Sequence, residues 1–139
     1  GVGRILFAFQ KGSLIIKLPS GRKLCYQDAK ITDTEKGPKI SYKGMNQVSR
    51  KWELTDTWGG KLVENIAQAI ARDCLAQAML RLRDKGYEIV AHVHDEVIIE
   101  APVEAKVEDV CRIMGEPLEW APGLILNADG YETLYYKKD

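Results

Sequence analysis

Along residues 13 to 58, short apolar, strand-forming runs are separated by polar and turn-forming residues, which predicts β structure. SLIIKLPSGRKLCY holds two extended runs around Pro19-Ser20-Gly21, where Pro and Gly suit a tight connection. PKISYKGMNQVSRKWELTD repeats the pattern, with Lys43-Gly44 and Asn46 as the expected turn. From Gly60 to Lys85 the character changes: Leu62, Ile66, Ile70 with Ala69, and then Cys74 or Met79 recur at three- to four-residue spacing. After Gly60 this stretch lacks Pro and Gly, so it predicts a long amphipathic helix, closed near Gly86 as its C-cap. Two strand-like runs follow, 87 to 93 and 96 to 101, with His94-Asp95 at the tip between them. Beyond Pro102, VEAKVEDVCRIMG predicts a second amphipathic helix on Val103, Val107, Val110 and Met114. The tail APGLILNADGYETLYYKK reads as loop and then strand. The expected class is α+β: an antiparallel sheet carrying the His94-Asp95 hairpin, one long and one shorter helix on one face, and a basic β extension before them.

Composition adds a size limit and a charge pattern. At 139 residues the chain is one domain or a piece of a larger one, and its opening GVGRILFAF, without Met, reads as a fragment. Net charge is zero, which argues against a general nucleic-acid binder. That zero conceals an asymmetry. Residues 1 to 61 hold 12 Lys and Arg against 5 Asp and Glu, and residues 62 to 139 hold 8 against 15. A half at +7 beside a half at −7 suits a polyanion-gripping surface next to a cation site, or two solvated faces. Cys25, Cys74 and Cys111 are scattered without metal-ligand spacing, as in a reduced cytoplasmic protein. No signal peptide or membrane span is visible.

The chemistry concentrates in AHVHDEVIIEAP, where His92, His94, Asp95 and Glu96 interrupt the apolar strands. Four titratable groups there require water, a metal or a charged partner, because unpaired burial is costly. Asp95 can be half of a magnesium site, since that ion takes one or two carboxylates plus waters and phosphates; it can equally be a turn residue capping its own backbone. His92 and His94 share a strand face and resemble half of a cupin metal motif, but the Glu such a motif needs falls too late, at Glu100. On the long helix, Lys61, Asn65, Gln68 and Arg72 make one polar stripe, either a solvated face or a set of groups reaching a nucleic-acid groove.

Read in order, the basic β segment, GGKLVENIAQAIARDCLAQAMLRL, VHDEVIIEAP and PLEWAPGLILNADGYE resemble the C-terminal part of an A-family DNA polymerase, of the phage type related to bacterial DNA polymerase I. The resemblance covers about residues 15 to 139. It implies a basic β-rich segment after the fingers over 1–58 and the C-terminal part of the palm over 59–139. It implies that Asp95 is one of two catalytic aspartates holding paired Mg2+ ions, that Glu96 is an accessory carboxylate, and that His94 lies beside the primer 3′ end. Gln68 then contacts the primer–template minor groove, with Asn65 a second contact and Arg72 and Lys61 on the same stripe. Asn65 stands three residues before Gln68, where bacterial members have it four before. Arg22 and Lys23 resemble basic residues that meet phosphate. The implied partners are primer–template DNA, dNTPs and the rest of the palm, fingers and thumb, in the cytoplasm of a bacterial or phage-infected cell. Neither the family's Asp-Tyr-Ser motif nor its fingers helix occurs in this sequence, so the chain alone is expected not to polymerise. The competing expectations are a non-catalytic nucleic-acid-binding remnant and a His-metal enzyme, and exposed sheet edges leave self-association open.

Overall fold

The computed structural model describes residues 4–138, which divide into two compact units between Ile70 and Ala71. The class is α+β, as the residue pattern predicts.

In the first unit, strands β1 (Leu6–Gln10), β2 (Ser13–Lys17), β3 (Lys23–Thr34), β4 (Gly37–Met45) and β5 (Trp52–Thr57) form one antiparallel sheet in chain order. Helix α1 (Gly59–Asp84) begins in this unit. Its apolar stripe supplies Leu62, Ile66 and Ala69, which are buried with Ile16, Leu18, Tyr26 and Ala29 of the sheet. Each fully buried aliphatic side chain of this kind contributes about 1.5–3 kcal/mol, so the helix is held mainly by this face. The β2–β3 connection falls where Pro19 and Gly21 predict it: the Gly21 amide donates to the Leu18 carbonyl (2.9 Å), with Gly21 at φ 94°.

Two features of this sheet differ from the sequence expectation. Lys43 and Gly44 lie inside β4, opposite Leu54 and Glu53, and are not the turn. The glycine serves close packing, since a Cβ there would come 3.0 Å from the Tyr42 ring. The turn lies at residues 46–51 and is organised by Asn46, whose Oδ1 accepts the amides of Val48 (2.8 Å) and Ser49 (3.0 Å). Strand β1 and the β3–β4 turn at Glu35-Lys36 are additions to the expected set. β3 also carries a register shift between Gln27 and Lys30. At this irregularity Asp28 takes φ 48° and pairs with Lys43 across to β4 (2.9 Å).

The second unit holds the remainder of α1, strands β6 (Glu88–Val93) and β7 (Glu96–Glu100), and helix α2 (Val107–Met114). α1 ends as Gly86 predicts. Gly86 is at φ 89°, its amide donates to the Arg83 carbonyl (2.9 Å), and the Tyr87 amide donates to the Leu82 carbonyl (3.1 Å). This pair of bonds satisfies carbonyls that a helix end otherwise leaves open. Arg81 secures the chain after α2 by donating to the carbonyls of Glu116 (2.8 Å) and Pro117 (2.7 Å).

α2 starts at Val107, not at Val103: residues 103–104 form a turn in which the Ala105 amide donates to the Pro102 carbonyl (2.9 Å), and Val103 is exposed. The tail forms no strand among the described residues. A strand needs a ladder partner, and this segment instead lies close against α2, with a glycine at each approach. A Cβ on Gly130 would fall 2.6 Å from Val107 Cγ2, and one on Gly115 would fall 3.0 Å from the Leu126 carbonyl oxygen. The hairpin β6–β7 is a two-stranded sheet of its own, and the five-stranded sheet is the basic β segment.

Candidate functional site

The titratable cluster occupies the turn of the β6–β7 hairpin. Val93 pairs with Glu96 and His92 with Val97, which leaves His94 and Asp95 as a two-residue connection. Such a connection follows the strand twist when its first central residue takes positive φ, and His94 does so at φ 55°. Histidine enters this region more readily than β-branched residues, though at a cost relative to glycine. On the strands, Val93, Val97, Ile98 and Ile99 are half-buried, whereas His92, His94 and Asp95 are exposed and Glu96 is half-buried. The apolar strands thus hold a polar apex. Among the described residues no side-chain hydrogen bond or ion pair engages His92, His94, Asp95 or Glu96.

Among the described residues no group of three or more His, Cys, Asp or Glu side chains is placed to hold a metal ion. The three-ligand set that the cupin-like reading of His92 and His94 needs is therefore not assembled. Asp95 and its neighbour Glu96 are oxygen donors of the sort magnesium prefers, and that ion requires only one or two carboxylates when phosphates and waters complete its shell. The donor chemistry of the tip fits half of such a site.

The helix stripe divides by what each side chain meets. Lys61 pairs with Glu64 (3.0 Å), and Gln68 Nε2 donates to Glu64 Oε1 (3.3 Å), both on the exposed surface. Asn65 is half-buried and donates through Nδ2 to the Tyr26 hydroxyl (3.1 Å). Arg72 is exposed. In the LPSGRKL turn, Arg22 donates through Nη2 to the Ala69 carbonyl of the helix (2.9 Å), while Lys23 is exposed on β3 opposite Lys17. Tyr26 is a polar participant that the sequence pattern alone hides, because at strand spacing from Leu24 it reads as core. A buried tyrosine hydroxyl nevertheless requires a partner, and that requirement was the available signal.

Two cysteine thiols in the second unit are pushed above their ordinary range, Cys74 by burial and then by Asp73, and Cys111 by burial and then by Asp129 and Glu108. Both therefore remain thiols at neutral pH. No helix among the described residues is long and apolar enough to cross a membrane.

Over 138 residues, 97% of its length, the chain is 48% identical to a protein named DNA polymerase from Bacillus phage SP02. The chain spans about a fifth (21%) of that curated relative's length. No protein-family model matches the chain, and no solved structure matches it.

Proposed function

We propose that the chain is part of an A-family, phage-type DNA-directed DNA polymerase, comprising the segment after the fingers and the C-terminal portion of the palm. The observation that carries this reading is the likeness to a DNA polymerase along nearly the whole chain. The hairpin adds support, because it presents Asp95 at the apex of paired apolar strands.

In this reading Asp95 is a catalytic carboxylate and metal ligand, and Glu96 is the accessory carboxylate beside it. Bound there, paired magnesium ions supply activation of the primer 3′-hydroxyl and neutralisation of charge on the triphosphate. His94 borders the primer terminus. Gln68 offers an amide to the minor-groove acceptors of the primer–template, which every base pair presents. Asn65 belongs to the same stripe, with its side chain turned to Tyr26. Arg72 and Lys23 provide exposed cations for phosphates, a sequence-independent contribution, and Lys61, paired with Glu64, lies on the same stripe. Arg22 stands in the same loop as Lys23 and is engaged with α1. The partners are primer–template DNA, dNTPs and the remaining palm, fingers and thumb. An isolated two-stranded sheet is marginal in water, so β6–β7 calls for further strands from the rest of the palm. The 139 residues hold one of the two catalytic aspartate motifs, and alone they do not polymerise.

A segment exchange tests this reading. The matching 138 residues of the Bacillus phage SP02 polymerase are replaced by this chain, and templated primer extension is measured. The expected chimera extends a primer. A chimera that folds and binds primer–template but adds no nucleotide contradicts the reading.

A further inference from the structure

Apolar burial fixes how deeply a helix sits but is non-directional, so it constrains rotation about the helix axis only weakly. In the first unit, two directional contacts add that constraint to α1, and they flank Gln68 in sequence. On one side Asn65 Nδ2 donates to the Tyr26 hydroxyl (3.1 Å). Tyr26 is only 7% exposed, and its ring is braced edge-on by Tyr42 at 4.9 Å between centroids. On the other side Arg22 Nη2 donates to the Ala69 carbonyl (2.9 Å), and the bond is partly buried. Arg22 is itself presented by a closed turn. Its carbonyl accepts the Leu18 amide (2.8 Å), Leu18 is 1% exposed, and Gly21 supplies the positive φ. Both contacts join the helix to the sheet and its β2–β3 turn, and Gln68 is exposed between Asn65 and Ala69, its amide donating to Glu64 one turn back on the same helix (3.3 Å).

We infer that Tyr26, which accepts from Asn65, and Arg22, which donates to the Ala69 carbonyl, are positioning residues that fix the roll of α1 and thereby aim Gln68 at the primer–template. The role of Gln68 rests on the polymerase reading; the clamp itself rests on the contacts. Two residues that the sequence assigns to DNA, Asn65 and Arg22, thus act through the scaffold.

Two measurements on the intact protein that carries this chain test the inference. The first is peptide-resolved amide hydrogen exchange. Tyr26→Phe and Arg22→Ala are expected to speed exchange across residues 65–73 of α1 by about three- to tenfold, the size of one net hydrogen bond, and Arg22→Lys to restore part of the protection. Unchanged exchange in both Tyr26→Phe and Arg22→Ala overturns the clamp. The second is steady-state primer extension in a double-mutant cycle. Tyr26→Phe is expected to raise KM for primer–template about three- to tenfold with little change in kcat, and to have no further effect once Gln68→Ala is present. An equal penalty in the Gln68→Ala background overturns the positioning role, because a merely structural loss is additive. A wild-type protein that extends no primer contradicts the polymerase reading and the aiming of Gln68, while the exchange result still decides the clamp.

Discussion

His94 combines a strained backbone with an exposed imidazole at the apex of a short hairpin. Positive φ on a residue with a Cβ costs on the order of 1 kcal/mol relative to glycine, and the hairpin's two-residue connection makes the angle unavoidable. A sequence selected for stability alone favours Gly or Asn there. Under the polymerase proposal the imidazole beside the primer terminus accounts for the histidine. His94→Gly is therefore expected to leave the hairpin intact and raise thermal stability by up to about 1 kcal/mol, while lowering the primer-extension rate. Calorimetry and extension assays on the same preparation check both halves. A variant that is destabilised, or one that extends primers as the wild type does, argues against this account of the residue.

At the scale of elements, the pattern-carrying segments were legible and the irregular ones were not. α1 announced itself through its apolar stripe and Gly86, and the β6–β7 hairpin through β-branched runs around a polar tip. Lys43-Gly44 resembled a turn because glycine opens turns as readily as it admits a neighbouring ring, and only the Tyr42 contact distinguishes the two uses. The tail has the apolar content of a strand, but strand formation depends on a ladder partner that local sequence does not encode. Within the site, the position of Asp95 was legible, whereas the engagement of Asn65 and Arg22 with the scaffold required knowledge of which strand lies beside α1. The irregularity in β3 offers a test at this scale. The Asp28 carboxyl is held below its ordinary value of 3.8 by its hydrogen bond and charge interaction with Lys43. Its folded pKa is depressed, so its contribution to stability is present above pH 3.8 and is lost as pH falls through the lower folded value. Asp28 is solvent-exposed and the effect is small. Asp28→Asn is expected to change neutral-pH stability little and to flatten the acid limb of the stability–pH curve below pH 4. Chemical denaturation across that range measures it, and an acid limb identical to the wild type's counts against the pairing.

For the molecule as a whole, a basic half and an acidic half meet in a sequence of zero net charge. The basic five-stranded unit with the start of α1 offers cations and an exposed amide, and the acidic unit offers the carboxylate apex. Under the polymerase proposal the cations and amide serve the DNA, and the carboxylate apex serves the divalent cations. In the proposed polymerase, Asp95 is the metal-holding carboxylate on which nucleotide addition depends. The most direct measurement is single-turnover nucleotide addition by Asp95→Asn in the intact protein, with primer–template affinity measured alongside. Loss of addition by about 10²–10³-fold or more with DNA binding largely retained is the predicted result. Addition at the wild-type rate contradicts that role of Asp95.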